Sequence, residues 1–195
     1  WNLAYNLSEA ARTAPERWMW VQAGIRLLRD QGIPLNPHAV TLYQQLAYIF
    51  LHRVGKFSAD VHWYFKVQHA AEWHALLGAP PAGTTEEVAA WLERVASAPT
   101  TLKELQDRRP EAAARIAAFQ RAGGALDRAG LEKAARLLAA RNSPAAKSPA
   151  AQEEPAAGAA LLAALDGAPG AALLDFVRAK VLREEYHMVP AFMLE

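Results

Sequence analysis

Apolar residues recur at spacings of three and four along most of this chain, the pattern of amphipathic helices. No stretch alternates with the period of two that a half-buried strand requires. Residues 1–8 begin the pattern, with Leu3 and Leu7 four apart and Ala4 beside them. A second helix is predicted over residues 15–31, where Trp18, Val21, Ile25 and Leu28 form one stripe. Thr13 and Glu16 make a capping box ahead of it, Pro15 sits early where its missing N–H costs little, and Gly32 is expected to close it in the left-handed conformation. Asn36 and Pro37 repeat the start signal for a helix reaching about residue 54. Val40, Tyr43, Leu46, Ala47, Phe50 and Val54 mark its inner side, and Gly55 its end. Ser58 caps a further helix carrying Val61, Tyr64, Phe65 and Trp73.

Residues 80–83 (PPAG) break the pattern. Thr84 and Glu87 form a second capping box, opening a helix with Val88, Trp91, Leu92 and Val95. Shorter helical patterns cover residues 101–107, 110–122 and 127–141. Residues 142–158 hold three prolines and almost no bulky apolar side chain, which reads as a flexible linker or exposed loop. Helical periodicity returns over residues 161–165 and 171–186, the latter with Leu174, Val177, Val181 and Leu182, and Pro190 marks another start. The fold class is all-α. The expected organisation is helix pairs over residues 1–78, additional helices over 79–141, the linker at 142–158 and C-terminal helices over 159–195.

Residues 36–78 form two helices about Gly55 and resemble a tetratricopeptide repeat, a pair of antiparallel helices of about 34 residues. Tyr43, Leu46, Ala47 and Phe50 match the large, large, small, large pattern of its first helix. Gly55 and Phe57 match the turn, and Tyr64 the aromatic position of the second helix. The unit departs from the pattern by one extra residue before Gly55 and by Asp60 where a small alanine is usual. An incomplete copy precedes it, carried by Leu3, Ala4, Leu7, Ala23 and Leu27, with Pro37 as its closing proline. The resemblance implies antiparallel pairs in a short right-handed superhelix, with further helices on the C-terminal side. The segments AYNLS, ERWMWVQAGIRLLRDQGIPLNP, LAYIFLHRVG and LREEYHMVPAFMLE are also similar to a group of bacterial proteins of this architecture. Their members are anchored in a membrane by an upstream segment and continue beyond this region. No activity comes with the resemblance.

Composition narrows the function classes. Lys plus Arg number 21 against 20 Asp plus Glu, a net charge of +1, so no whole-chain field favours nucleic acid or an anionic membrane. The absence of cysteine removes disulfides, thiolate chemistry and Cys-based zinc sites. No apolar run reaches the roughly 18 residues of a membrane span; the best, residues 156–165, is short and alanine-rich. The chain opens on Trp1 without Met and closes soon after Pro190, so both ends read as cuts in a longer protein, with any membrane anchor outside this segment. All six Trp lie at or before Trp91, which predicts a better-packed first half.

The groove of a tetratricopeptide superhelix is lined by first helices. The resemblance places Trp1, Tyr5 and Ser8 there from the first copy, and Thr41, Gln44, Tyr48, Leu51 and His52 from the second. Aromatic and hydrogen-bonding side chains of this mix suit an extended peptide or a helix from a protein partner. The alternative for Trp1 and Tyr5 is contact with a further repeat upstream. A reading from another class is a metal-dependent enzyme centred on His52, His62 and His69, with Glu72 or Asp60 near. Two helical turns separate His62 from His69 by about 10 Å, too far for one metal without a bend. No HExxH, GxSxG, P-loop or GxGxxG motif is present, and no cofactor is implied. The expectation is a non-enzymatic scaffold or protein-interaction module.

Overall fold

The computed structural model describes residues 1–57, 60–142 and 156–194. Every regular element among the described residues is helical. The expected Ser58 cap and nearly all of the expected linker lie outside them, as does the side chain of Leu3. The linker's last residues are helical: α10 begins at Ala156. The chain divides into two compact units, Trp1–Glu72 and Trp73–Glu195.

In the first unit α1 (Asn2–Ala10) and α2 (Ala14–Arg26) are joined by three residues. The Thr13 capping box forms as the sequence predicts. The two helices run antiparallel: Ala4 Cβ approaches Gly24, while Arg17 Nε donates to the carbonyl of Ala11 at 2.8 Å. The expected stop at Gly32 is absent. The chain passes through a π-helical segment, Leu27–Gly32, into a short α3 (Ile33–Leu35), and Gly32 keeps right-handed helical angles. The sequence lacks a reason to stop there, because Ile33 donates back to Leu28 and Pro34 sits where a helix tolerates it.

The next helix, α4 (Val40–Ile49), also widens into a π-helical segment, Phe50–Gly55, which ends as Lys56 turns extended. α5 (His62–Leu77) returns antiparallel to it: Phe50 meets His69, and Phe57 meets His62. α1 lies parallel to α4, with Trp1 and Tyr5 against Tyr48, and Glu9 paired with Arg53. α2 stands likewise to α5 through Arg17 with Asp60, at 2.6 Å, and Trp18 stacked on Phe65. The core of this unit is Trp18, Val21, Ile25, Leu28, Ile49 and Phe65.

Several positions assigned to the interior from the repeat pattern are on the surface. Tyr43 is 45 % exposed because its hydroxyl donates outward to the carbonyl of Pro37. Phe57 is 79 % exposed, lying beyond the π segment with Lys66 over its ring. Ala23, Leu27 and Ala47 are exposed too. Their neighbours Gly24, Leu28 and Ile49 take the inner places, Gly24 within 3.5 Å of Ala4 and Ile49 side-chain atoms for any added Cβ.

The second unit contains the end of α5, then α6 (Thr85–Ala96), α7 (Leu102–Arg108), α8 (Pro110–Arg121), α9 (Arg128–Asn142), α10 (Ala156–Ala164) and α11 (Gly167–Glu184), closing on a 3₁₀ turn, Pro190–Leu194. The second capping box forms at Thr84 and Glu87. α11 is its centre: Leu173, Leu174, Phe176, Val177, Val181 and Leu182 are all buried, against Val95, Leu105, Phe119, Leu131 and Leu161 from the surrounding helices. The helices read separately as 79–141 and 159–195 therefore share one hydrophobic core. No single described helix is long and apolar enough to cross a membrane; α10 and α11 pass that test only together and are bent by 92° at their junction.

Candidate functional site

Where α1 runs beside α4, four rings meet. Trp1 packs edge-on against Tyr5 at 6.1 Å and against Tyr48 at 6.4 Å between centroids. Tyr5 and Tyr48 are 5.7 Å apart, and His52 stacks on Tyr48 at 3.9 Å. Helical spacing supplies half of this arrangement: Trp1 and Tyr5, and Tyr48 and His52, are each four residues apart and so share a helix face. All four side chains keep solvent access, Tyr48 at 40 %.

Arg53 lies beneath these rings, and sequence reasoning did not find it. Its guanidinium is buried, sits 3.7 Å from the Tyr5 ring centroid, donates to the Glu9 carboxylate and gives a further hydrogen bond, at 3.3 Å, to the Tyr5 carbonyl. Its Nε is buried with no hydrogen-bond partner. Burial lowers the Arg53 pKa, with the Tyr5 side chain opposing. Burial also raises the Tyr5 hydroxyl pKa, reinforced by its hydrogen bond with Tyr48 and opposed by the Arg53 charge. The π-helical segment carries both His52 and Arg53. π turns concentrate at functional sites, and this one gives His52 to the rings while Arg53 lies under Tyr5. Nothing local in the run Phe50-Leu-His-Arg-Val54 marks Arg53 for burial, since His52 beside it is a second polar residue.

The other expected groove positions are not part of the four-ring contact. Thr41 and Gln44 are exposed on the same side of α4, two turns and one turn before Tyr48. Leu51 is 55 % exposed. Ser8 is buried instead, its hydroxyl donating to the Tyr5 carbonyl at 2.6 Å, because i−3 back-bonding holds it against its own helix.

The three histidines do not converge. His52 stacks on Tyr48, His62 stands edge-on to Phe57 at 5.0 Å, and His69 leans on Phe50 at 5.6 Å. Among the described residues no three His, Asp or Glu side chains come close enough together to hold a metal ion. Burial lowers the His69 pKa below its ordinary value of 6.5, with the Glu72 charge opposing. A depressed pKa means that the unfolded chain binds the proton more readily. The His69 contribution to stability is fully present above about pH 6.5 and is lost as pH falls from there through the folded-state pKa. Urea unfolding followed by tryptophan fluorescence at pH 7.5 and 5.5 should show a larger loss for the wild type than for His69→Gln; equal losses would remove His69 as a cause.

No family model matches this chain, and no curated protein or solved structure matches it. The arrangement is read on its own chemistry. Stacked and edge-on rings over a cation provide a rigid, amphipathic contact surface with little entropy to lose on binding.

Proposed function

We propose that this chain is a non-enzymatic protein-interaction or scaffold module of a larger bacterial protein. In this reading α1 with α2, and α4 with α5, form tetratricopeptide-like pairs in a short right-handed superhelix. The two first-helix faces take a partner peptide or helix across Trp1, Tyr5, Tyr48 and His52, with Thr41 and Gln44 extending the contact. The observation that carries it is the meeting of four partly exposed rings from two parallel helices above a buried arginine. The antiparallel hairpins and the parallel placement of α1 with α4 support the same reading.

Aromatic residues at the centre of an interface often carry about 2 kcal/mol or more of binding, near thirtyfold in affinity. A photo-crosslinking amino acid at Gln44, in the full-length protein in its native cell, should trap a discrete protein that the same probe at exposed Glu111 does not. Tyr48→Ala should abolish that crosslink while leaving the circular dichroism spectrum unchanged. A crosslink that survives Tyr48→Ala, or that appears equally at Glu111, would defeat the proposal.

A further inference from the structure

A cavity of about 870 Å³ lies wholly within the unit Trp73–Glu195, inside the range of roughly 300–1,000 Å³ typical of small-molecule sites. Leu77, Trp91, Leu138 and Leu174, from four different helices, give it an apolar wall, and Ala135 and Ala139 leave the α9 side shallow. Arg94, Arg136 and Arg178 also line it.

Charge at this wall is unbalanced. Asp175, 6 % exposed, accepts a hydrogen bond from an Arg178 terminal nitrogen at 2.8 Å and faces Arg94 Nε at 3.9 Å. One carboxylate thus serves two guanidinium groups, and Arg136 adds a third from α9. The carboxylate in the lining, Glu132, is already held by Arg128 at 2.9 Å. The position of Arg178 is built into the backbone. Gly78 has φ +83°, and a Cβ there would stand 2.9 Å from the other terminal nitrogen of Arg178. A residue with a side chain would be strained and would crowd the guanidinium. Arg178 Nε is buried without a hydrogen-bond partner. Burial lowers the pKa of this arginine against the pull of Asp175, so the site carries a desolvation cost that an anion would offset.

We propose that this cavity binds a small organic anion with an apolar body, of which a medium-chain carboxylate is the simplest case. The acid group meets the Arg94, Arg136 and Arg178 face, and the chain lies along Trp91, Leu138 and Leu174. Guanidinium groups suit a carboxylate in geometry as well as charge. This goes beyond the protein-interaction reading and uses none of its residues.

Calorimetric titration of the intact chain with decanoate, below its micelle concentration, should give saturable one-to-one binding. Decanol, the same length without the charge, should bind at least about tenfold more weakly. The double variant Arg94→Gln with Arg136→Gln, both exposed positions, should weaken decanoate by about tenfold and leave decanol unaffected. Ala135→Trp should block both ligands by filling the cavity. Circular dichroism confirms that each variant is folded, and the arginine pair decides the matter alone if Ala135→Trp does not fold. Absence of decanoate binding, equal affinity for decanol, or decanoate binding untouched by the arginine pair would overturn the proposal.

Discussion

Phe65→Ala is expected to destabilise the unit Trp1–Glu72 by about 3–5 kcal/mol, the range for emptying a well-packed aromatic site. Phe65 is 1 % exposed and stacks on Trp18 with centroids 5.6 Å apart, so truncation loses the burial of the ring and its partner together. The cavity would open among Val21, Ile25, Leu28 and Ile49, which come from α2, the π segment that continues it, and α4. Phe57→Ala provides the comparison. Phe57 fits the repeat pattern in sequence, yet it is 79 % exposed, and among the described residues its ring meets the ammonium of Lys66 and the ring of His62. Its loss should cost about 1 kcal/mol or less. Urea unfolding followed by tryptophan fluorescence reports mainly on this unit, which holds four of the six tryptophans, Trp1, Trp18, Trp20 and Trp63. Equal costs for the two substitutions would contradict the core described above.

The contrast between Phe65 and Phe57 shows what the sequence conveys and what it withholds. The stripe Trp18, Val21 and Ile25 on α2, continued by Leu28 just beyond it, is buried at all four positions, as its spacing of three and four predicts, while the apolar Met19 and Leu27 off that stripe stay exposed. The same holds for Leu174, Val177, Val181 and Leu182 on α11. α4 offers no such choice. Val40, Leu42, Tyr43, Leu46, Ala47, Tyr48 and Ile49 put apolar groups around most of its circumference, so periodicity cannot say which face turns inward. Contacts with α1 and α2 decide it, and they select Ile49 and Arg53 rather than Tyr43 and Phe50 for full burial. Both capping boxes were legible because their hydrogen bonds are local. The two π-helical segments were not, since their wider turns depend on what packs beside them.

The candidate site follows the same division. The pairs Trp1 with Tyr5 and Tyr48 with His52 are readable as i, i+4 neighbours. Arg53 is not, because nothing local distinguishes a buried arginine from a solvated one. Its burial arises from Glu9 and Tyr5, more than forty residues away in sequence. Asp60 is another case. It breaks the repeat pattern, and its carboxylate takes a hydrogen bond from Arg17 at 2.6 Å. At 74 % side-chain exposure this pair is worth about 1 kcal/mol at most, so it aligns α2 with α5 more than it stabilises them.

Gly170→Ala should cost about 3 kcal/mol, and the reason is room rather than backbone angle. A Cβ on Gly170 would lie 2.1 Å from the carbonyl carbon of Leu165, 2.2 Å from its oxygen and 2.6 Å from its Cα. All three are main-chain atoms at the corner where α10 and α11 meet at 92°, and none can rotate away as a side chain would. Relief requires the corner to open, which shifts Leu161 and Leu173, both fully buried. Gly167, three residues earlier, isolates the other glycine effect. Its φ is +68°, but an added Cβ would meet only Pro169 at 3.8 Å, an ordinary contact. Gly167→Ala should therefore cost only the left-handed backbone term, about 1–2 kcal/mol. Gly130 repeats the Gly170 geometry at the start of α9, where a Cβ would stand 1.9 Å from the carbonyl oxygen of Ala125. Thermal unfolding followed by circular dichroism should rank Gly170→Ala and Gly130→Ala together, well below Gly167→Ala in stability. Were Gly167→Ala the most damaging of the three, backbone angle rather than close approach would govern these helix starts.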